Sequence, residues 1–227
     1  VSGLFKNIEP IDFLVSKSVP NTYDSFLIFN IDDLNKFEIN FKRLVEYKNF
    51  SIKKVDLSFL EFVNQIALVK NNNEHQIIFH TLNEGLSNKM IVDETKEFNY
   101  RNVKFFKLLK TPSELKLLTS VIANENDVKW ISYLDEFIFF SETQNGIKSL
   151  IASYKDGQVV EKTSLNSFYE KSLSNRFNTL WISKTKNLLV TSQNSNFLKD
   201  IDTKKFPLIG FQTKVDGDFV IFNILKI

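Results

Sequence analysis

Cysteine is absent from this 227-residue chain, which excludes disulfides, thiol nucleophiles and Cys-ligated zinc within it. Glycine occurs only 6 times, and neither G-x-x-x-x-G-K-[ST] nor G-x-G-x-x-G is present, so no glycine-rich loop is available to cradle a phosphate. An excess of charge is missing too: 29 basic and 27 acidic side chains are interspersed and leave a net charge of +2. The densest basic points, Lys53-Lys54 and Lys204-Lys205, are mere pairs, so the chain offers no strong field to nucleic acid or an anionic membrane. No stretch reaches the roughly 18 to 20 apolar residues of a membrane-spanning helix. No Gly/Pro/Ser-rich linker interrupts the sequence, and residues 1–227 are expected to form a single domain.

What the chain does have is phenylalanine, 23 of them. The expectation is a core in which Phe fills positions that Leu or Val fill elsewhere, each contributing about 2 kcal/mol by buried area. The two tryptophans stand in the same tripeptide, Trp130-Ile131-Ser132 and Trp181-Ile182-Ser183, 51 residues apart. The residues after each tripeptide align without a gap: Ser141 falls on Ser192, Asn145 on Asn196 and Lys148 on Lys199. The pattern predicts a hairpin–helix unit used twice, at about 129–150 and 180–201, with both tryptophans at equivalent strand positions.

Periodicity supplies the remaining elements. IDFLVSKSVP reads as a short helix stopped before Pro20. Ser25 to Asn30 is a strand, and Asp32 or Asp33 caps a helix carrying Leu34, Phe37, Phe41, Leu44 and Val45 at helical spacing. A helical turn or two over Leu57 to Val63 precedes a hairpin of Gln65–Val69 and Gln76–Leu82 around Asn71-Asn72-Asn73-Glu74. Glu84 to Lys96 reads as a short helix and connector, Val103 to Lys110 as a strand, and Ser113 as the cap of a helix over Glu114 to Ile122. The first WIS unit is strand, turn at Asp135-Glu136, strand and helix, ending near a left-handed Gly157. A helix from about Leu165 to Ser174 leads to the second unit, and Asp216-Gly217 joins a last hairpin. The sum is an α+β fold, a largely antiparallel sheet with helices packed on one face.

Chemistry has few places to hide. His75 and His80 lie five apart in one predicted strand, so their side chains point to opposite faces and do not share a metal. Asp32-Asp33 serves a helix cap, Asp216 and Asp218 belong to a turn, and Asp93-Glu94 lies in a polar connector. No G-x-S-x-G setting exists for a triad serine. No catalytic, cofactor-binding or metal-ligating residue is therefore assigned, and no cofactor is expected. Were the chain an enzyme, His75, His80, Asp93 and Glu94 would be the first residues to change.

VPNTYDSFLIFNIDDLNKF resembles the opening of a bacterial extracytoplasmic, lipoprotein-like family of unknown function. EFNYRNVKFFKLLK, VKWISYLDEFIFFSETQNGIKSLIASYKDG and SLNSFYEKSLSNRFNTLWIS resemble later parts of that family, so the likeness runs from Pro20 to Ser183. It lies in hydrophobic pattern and cap positions and carries over no site residue. The resemblance implies an exported protein of the cell envelope, periplasmic or outer-membrane-associated, built from repeated strand-hairpin-helix units. It implies also an N-terminal lipid anchor outside this chain, and makes the chain a fragment of a longer protein. The expected function is a non-catalytic structural or interaction domain with a protein partner. A carrier of a lipid-like hydrophobic ligand in a Phe-lined cavity is the alternative, and an uncharacterised enzyme the second alternative.

Overall fold

Alternation decides this architecture. A strand sends successive side chains to opposite faces, and in β2 (Ser25–Asn30), β3 (Val63–Asn71), β4 (Glu74–Thr81) and β8 (Phe137–Ser141) residues of both parities are apolar. Such strands need cover on both sides. The computed structural model, which describes residues 2–50, 55–71, 74–82, 94–123, 127–163, 174, 176–185, 204, 206–216 and 219–226, supplies it.

The remaining strands are β1 (Ile11–Asp12), β5 (Glu94–Tyr100), β6 (Val103–Leu108), β7 (Trp130–Leu134), β9 (Arg176–Phe177), β10 (Thr179–Lys184), β11 (Leu208–Asp216) and β12 (Phe219–Lys226). Ten of the twelve form one sheet in the order β12-β11-β10-β2-β3-β4-β8-β7-β6-β5, every neighbouring pair antiparallel. β1 and β9 make a small separate pair. On one face Phe29, Ile66, Phe79 and Phe140 meet Phe37 and Phe41 of helix α1 (Leu34–Tyr47) and Leu118 of helix α2 (Ser113–Ala123). On the other, Phe26, Ile28, Ile78 and Phe139 meet Ile147 and Leu150 of helix α3 (Gln144–Lys155). The α+β class and the antiparallel sheet are as expected. The helices, expected on one face, cover both.

Local signals place the helices. Asp33 caps α1, its carboxylate accepting the Lys36 N–H at 3.0 Å. Phe37 anchors that helix, its ring stacked 6.1 Å from Phe29 and 6.2 Å from Phe41. Thr143 caps α3 through the Gly146 N–H, and Gly157 follows the helix with φ of 63°. The β3–β4 hairpin and the β7–β8–α3 unit lie where the sequence puts them. β5 does not: Glu94 to Tyr100, which takes in the end of the expected helix and connector of Glu84 to Lys96, is a strand turning into β6 through Arg101 and Asn102, both at positive φ. That two-residue turn carries no glycine, and Arg101 fastens it to the end of α3 by a forked pair with Asp156 at 2.6 and 2.8 Å. The expected helices near Glu84 and over 165–174, and the hairpin–helix of 187–201, lie outside the described residues.

The two tryptophans are not equivalent. Trp130 lies on the α3 face, 5.4 Å from Phe98 and 5.8 Å from Phe105. Leu180 and Ile182 face that same core, so Trp181 between them projects to the other side. It stands in register with Leu27 and Phe211. The neighbours differ as well: β7 lies between β6 and β8, whereas β10 lies between β2 and β11.

The N-terminal segment is irregular, with a 3-10 turn at Leu14–Lys17 in place of the expected helix and β1 just before it. Part of it is nevertheless buried against the sheet, and three fully buried amides bond its backbone at Ile8, Ile11, Asp12 and Val15. Asn30 donates to the carbonyls of Phe177 and Ile11; Gln65 donates to Asp12 O at 3.0 Å and accepts the Val15 N–H at 2.8 Å. Gln65 also donates to Asn30 Oδ1. Asn178 donates to Ile8 O at 2.8 Å and accepts the Val215 N–H at 2.7 Å. Removing one partner of such a network leaves buried polar groups unsatisfied. Asn30→Leu should therefore lower the stability read from urea unfolding by about 1 to 3 kcal/mol. Adding Gln65→Leu should cost less than the sum of the two single changes, because both act on one network; strict additivity would count against it.

Candidate functional site

The amide network builds a cleft. By holding β1 and β9 beside the end of the main sheet, Asn30 and Gln65 leave a recess of about 330 Å³ between β1, the start of α1 and the start of β3. Ile11, Leu14, Ile31, Leu34, Val63 and Leu82 give it an apolar lining. Asp12, Asp32, Glu61 and Arg176 stand among them with their side chains exposed to solvent, three carboxylates to one guanidinium.

A register shift in β3 between Val63 and Gln65 brings Asn64 to the recess. Bulges re-aim side chains in this way. Asn64 Oδ1 lies 2.6 Å from His80 Nδ1, so the neutral imidazole donates to it. His80 is buried and packs edge-on to the Phe137 ring at 5.2 Å. Burial disfavours its charged form and pushes its pKa down to about 4; the nearby Glu136 carboxylate works against this and Lys17 with it.

The residues singled out from sequence do not converge. His75 pairs with Lys70 and His80 with Gln65, and the five-residue spacing does send them to opposite faces. Glu94 opens β5, four strands away from β4 across the sheet, on the order of 19 Å at ordinary strand spacing. Asp93 lies outside the described residues. Of the paired aspartates, Asp33 is the cap and is held below the usual carboxylate range, first by the Lys36 N–H, whereas Asp32 lines the cleft. Among the described residues no group of three or more His, Asp or Glu is placed to hold a metal ion. Nor is any helix among them long and apolar enough to cross a membrane.

The cleft itself was not legible from sequence. Its lining comes from positions 11 to 176, and only the bulge that presents Asn64 has a local cause.

Fold and site together define an α+β protein with a ten-stranded antiparallel sheet covered on both faces and a charged-rim cleft beside the start of β3. No protein-family model matches the chain, and no curated protein matches it. Among solved structures it is similar to TP0453 in three crystal forms. Form III shows 11% identity and a TM-score of 0.49, with 96% of this chain and 79% of that chain covered. Form I gives 9% and 0.48, covering 96% and 78%. Form IV gives 10% and 0.49, covering 96% and 80%.

A depressed histidine has a definite pH signature. The folded chain keeps His80 neutral while the unfolded chain takes up a proton near 6.5, so stability is full above that pH and falls as pH drops toward about 4. Unfolding titrations between those limits should show this slope in the wild type and a shallower one in His80→Gln. In an NMR titration one of the two imidazole signals should stay neutral below pH 5; two ordinary titrations near 6.5 would overturn the assignment.

Proposed function

We propose that the chain is a non-catalytic structural or interaction domain of a bacterial envelope protein, acting outside the cytoplasm and tethered through an N-terminal lipid anchor beyond this chain. The observation that carries the interaction reading is the apolar end of the sheet. Phe219, Ile221, Phe222 and Ile224 of β12 are 77%, 45%, 54% and 57% exposed. A cluster of large apolar side chains held in water marks a contact surface. Leu27, Trp181 and Phe211, in register across β2, β10 and β11, continue it inward. The resemblance of Pro20 to Ser183 to an exported family supports the compartment. The scattering of His75, His80 and Glu94 across faces and strands supports a role other than catalysis.

A photo-crosslinking phenylalanine analogue at Phe222 should give a discrete adduct of higher mass in the native cell envelope. The same analogue at Tyr47, on α1 and 84% exposed, should give none. No adduct at 222, or equal smears at both sites, would sink the interaction reading. Recovery of the chain in the cytoplasmic fraction would sink the compartment.

The cleft favours a second reading, the carrier of a hydrophobic ligand. Its volume of about 330 Å³ lies within the range of small-molecule sites, and six apolar side chains line it. Among the described residues no Phe does; the buried Phe rings pack against one another in the two cores instead. A bound apolar molecule should then appear as a discrete mass increment in native mass spectrometry and vanish in Leu14→Asp. A spectrum of bare chain alone would remove this reading.

A further inference from the structure

The sheet has two ends, and the sequence treats them oppositely. At one end β5 reads ETKEFNY, with Lys96 and Glu97 exposed. Lys96 Nζ lies 5.1 Å over the Phe98 ring and Glu97 pairs with Lys104 at 3.0 Å. Charges along an edge strand deter another strand from adding to it, because pairing would strip them of water. At the other end β12 reads FVIFNILK and carries no charge before Lys226. Among the described residues only β11 pairs with it, so its outer row of N–H and C=O groups has no ladder partner there. Both sides of the strand are apolar: Phe222 and Ile224 extend the Leu27–Trp181–Phe211 row, with Phe222 5.5 Å from Phe211, while Phe219 and Ile221 project from the opposite face.

We propose that β12 pairs antiparallel with β12 of a second copy of this chain across a two-fold axis, joining two sheets into one. This rests on the interaction reading above and names its partner.

The strand is complementary to itself. In the register centred on Phe222, that ring meets its own copy, Val220 stands opposite Ile224, and Ile221 opposite Asn223. Each pair has the same parity, so like faces stay together. Cross-strand aromatic and aliphatic pairs of this kind are the units that stabilise a sheet. Centring on Asn223 instead sets Asn against Asn on the axis and takes Phe222 off it. A self-complementary patch is what a two-fold contact between identical chains requires, and the guarded β5 edge keeps the assembly from growing further.

The test is the solution mass of the chain by sedimentation equilibrium. The wild type should run at twice 26.5 kDa, and Phe222→Lys and Phe222→Asp should each run as monomers with unchanged far-ultraviolet circular dichroism. An equimolar mixture of the two should return to the dimer, because opposite charges now meet on the axis. A Tyr47→Lys control should stay dimeric. A monomeric wild type, a dimer untouched by either substitution, or a mixture that stays monomeric overturns the proposal. A crosslink at 222 to a chain of different mass would also overturn it, while leaving the interaction reading intact.

Discussion

Three side-chain amides, Asn30, Gln65 and Asn178, hold the arrangement on which the rest of this molecule depends. The segment from Leu4 to Val19 packs against the sheet through Leu4, Phe5, Ile8, Val15 and Val19 without belonging to its ladder. Buried backbone groups need partners whatever their conformation, and here side chains from β2 and β3, together with the residue before β10, supply them. Asn40 does the same from α1, donating to the carbonyls of Leu4 and Lys6. A polar residue on the buried side of that helix thus has a reason. The segment so fastened walls one side of the cleft and caps part of both cores.

Phenylalanine gives the sheet its two-sided character. Rings from β2 and β8 enter both cores, Phe79 of β4 enters the one under α1, and each core adds aromatic contacts from a helix or the N-terminal segment. Among the described residues the central strands of the sheet are packed on both faces. Its chemistry is pushed to its periphery: the cleft beside β1 and β9, the charged β5 edge and the apolar β12 edge.

Elements with strong local grammar were legible. The Asn-rich tip between β3 and β4, the Asp33 cap, the spacing of Phe37 and Phe41, and Gly157 after α3 each carry their cause within a few residues. β5 was hidden because its residues are polar and charged, as an edge strand's are, and because its turn at Arg101-Asn102 uses no glycine. The second face of helices was hidden because an apolar run tells that a strand is buried, not which element buries it. The WIS repeat misled for a related reason. A shared tripeptide conveys strand propensity, but the face a residue occupies depends on pairing with strands far off in sequence.

The sequence by itself determined the α+β class, the antiparallel hairpins, the helix caps and the opposite facing of His75 and His80. These rest on periodicity and turn chemistry, which act over a few residues. Only the tertiary structure decided that helices cover both faces, that Trp130 and Trp181 face apart, and that the buried amides assemble a cleft from residues 11 to 176. It also decided which strands became edges, and so why one end is charged and the other bare. Edges and clefts are made by strand order, and strand order is set by long-range pairing that no local pattern encodes.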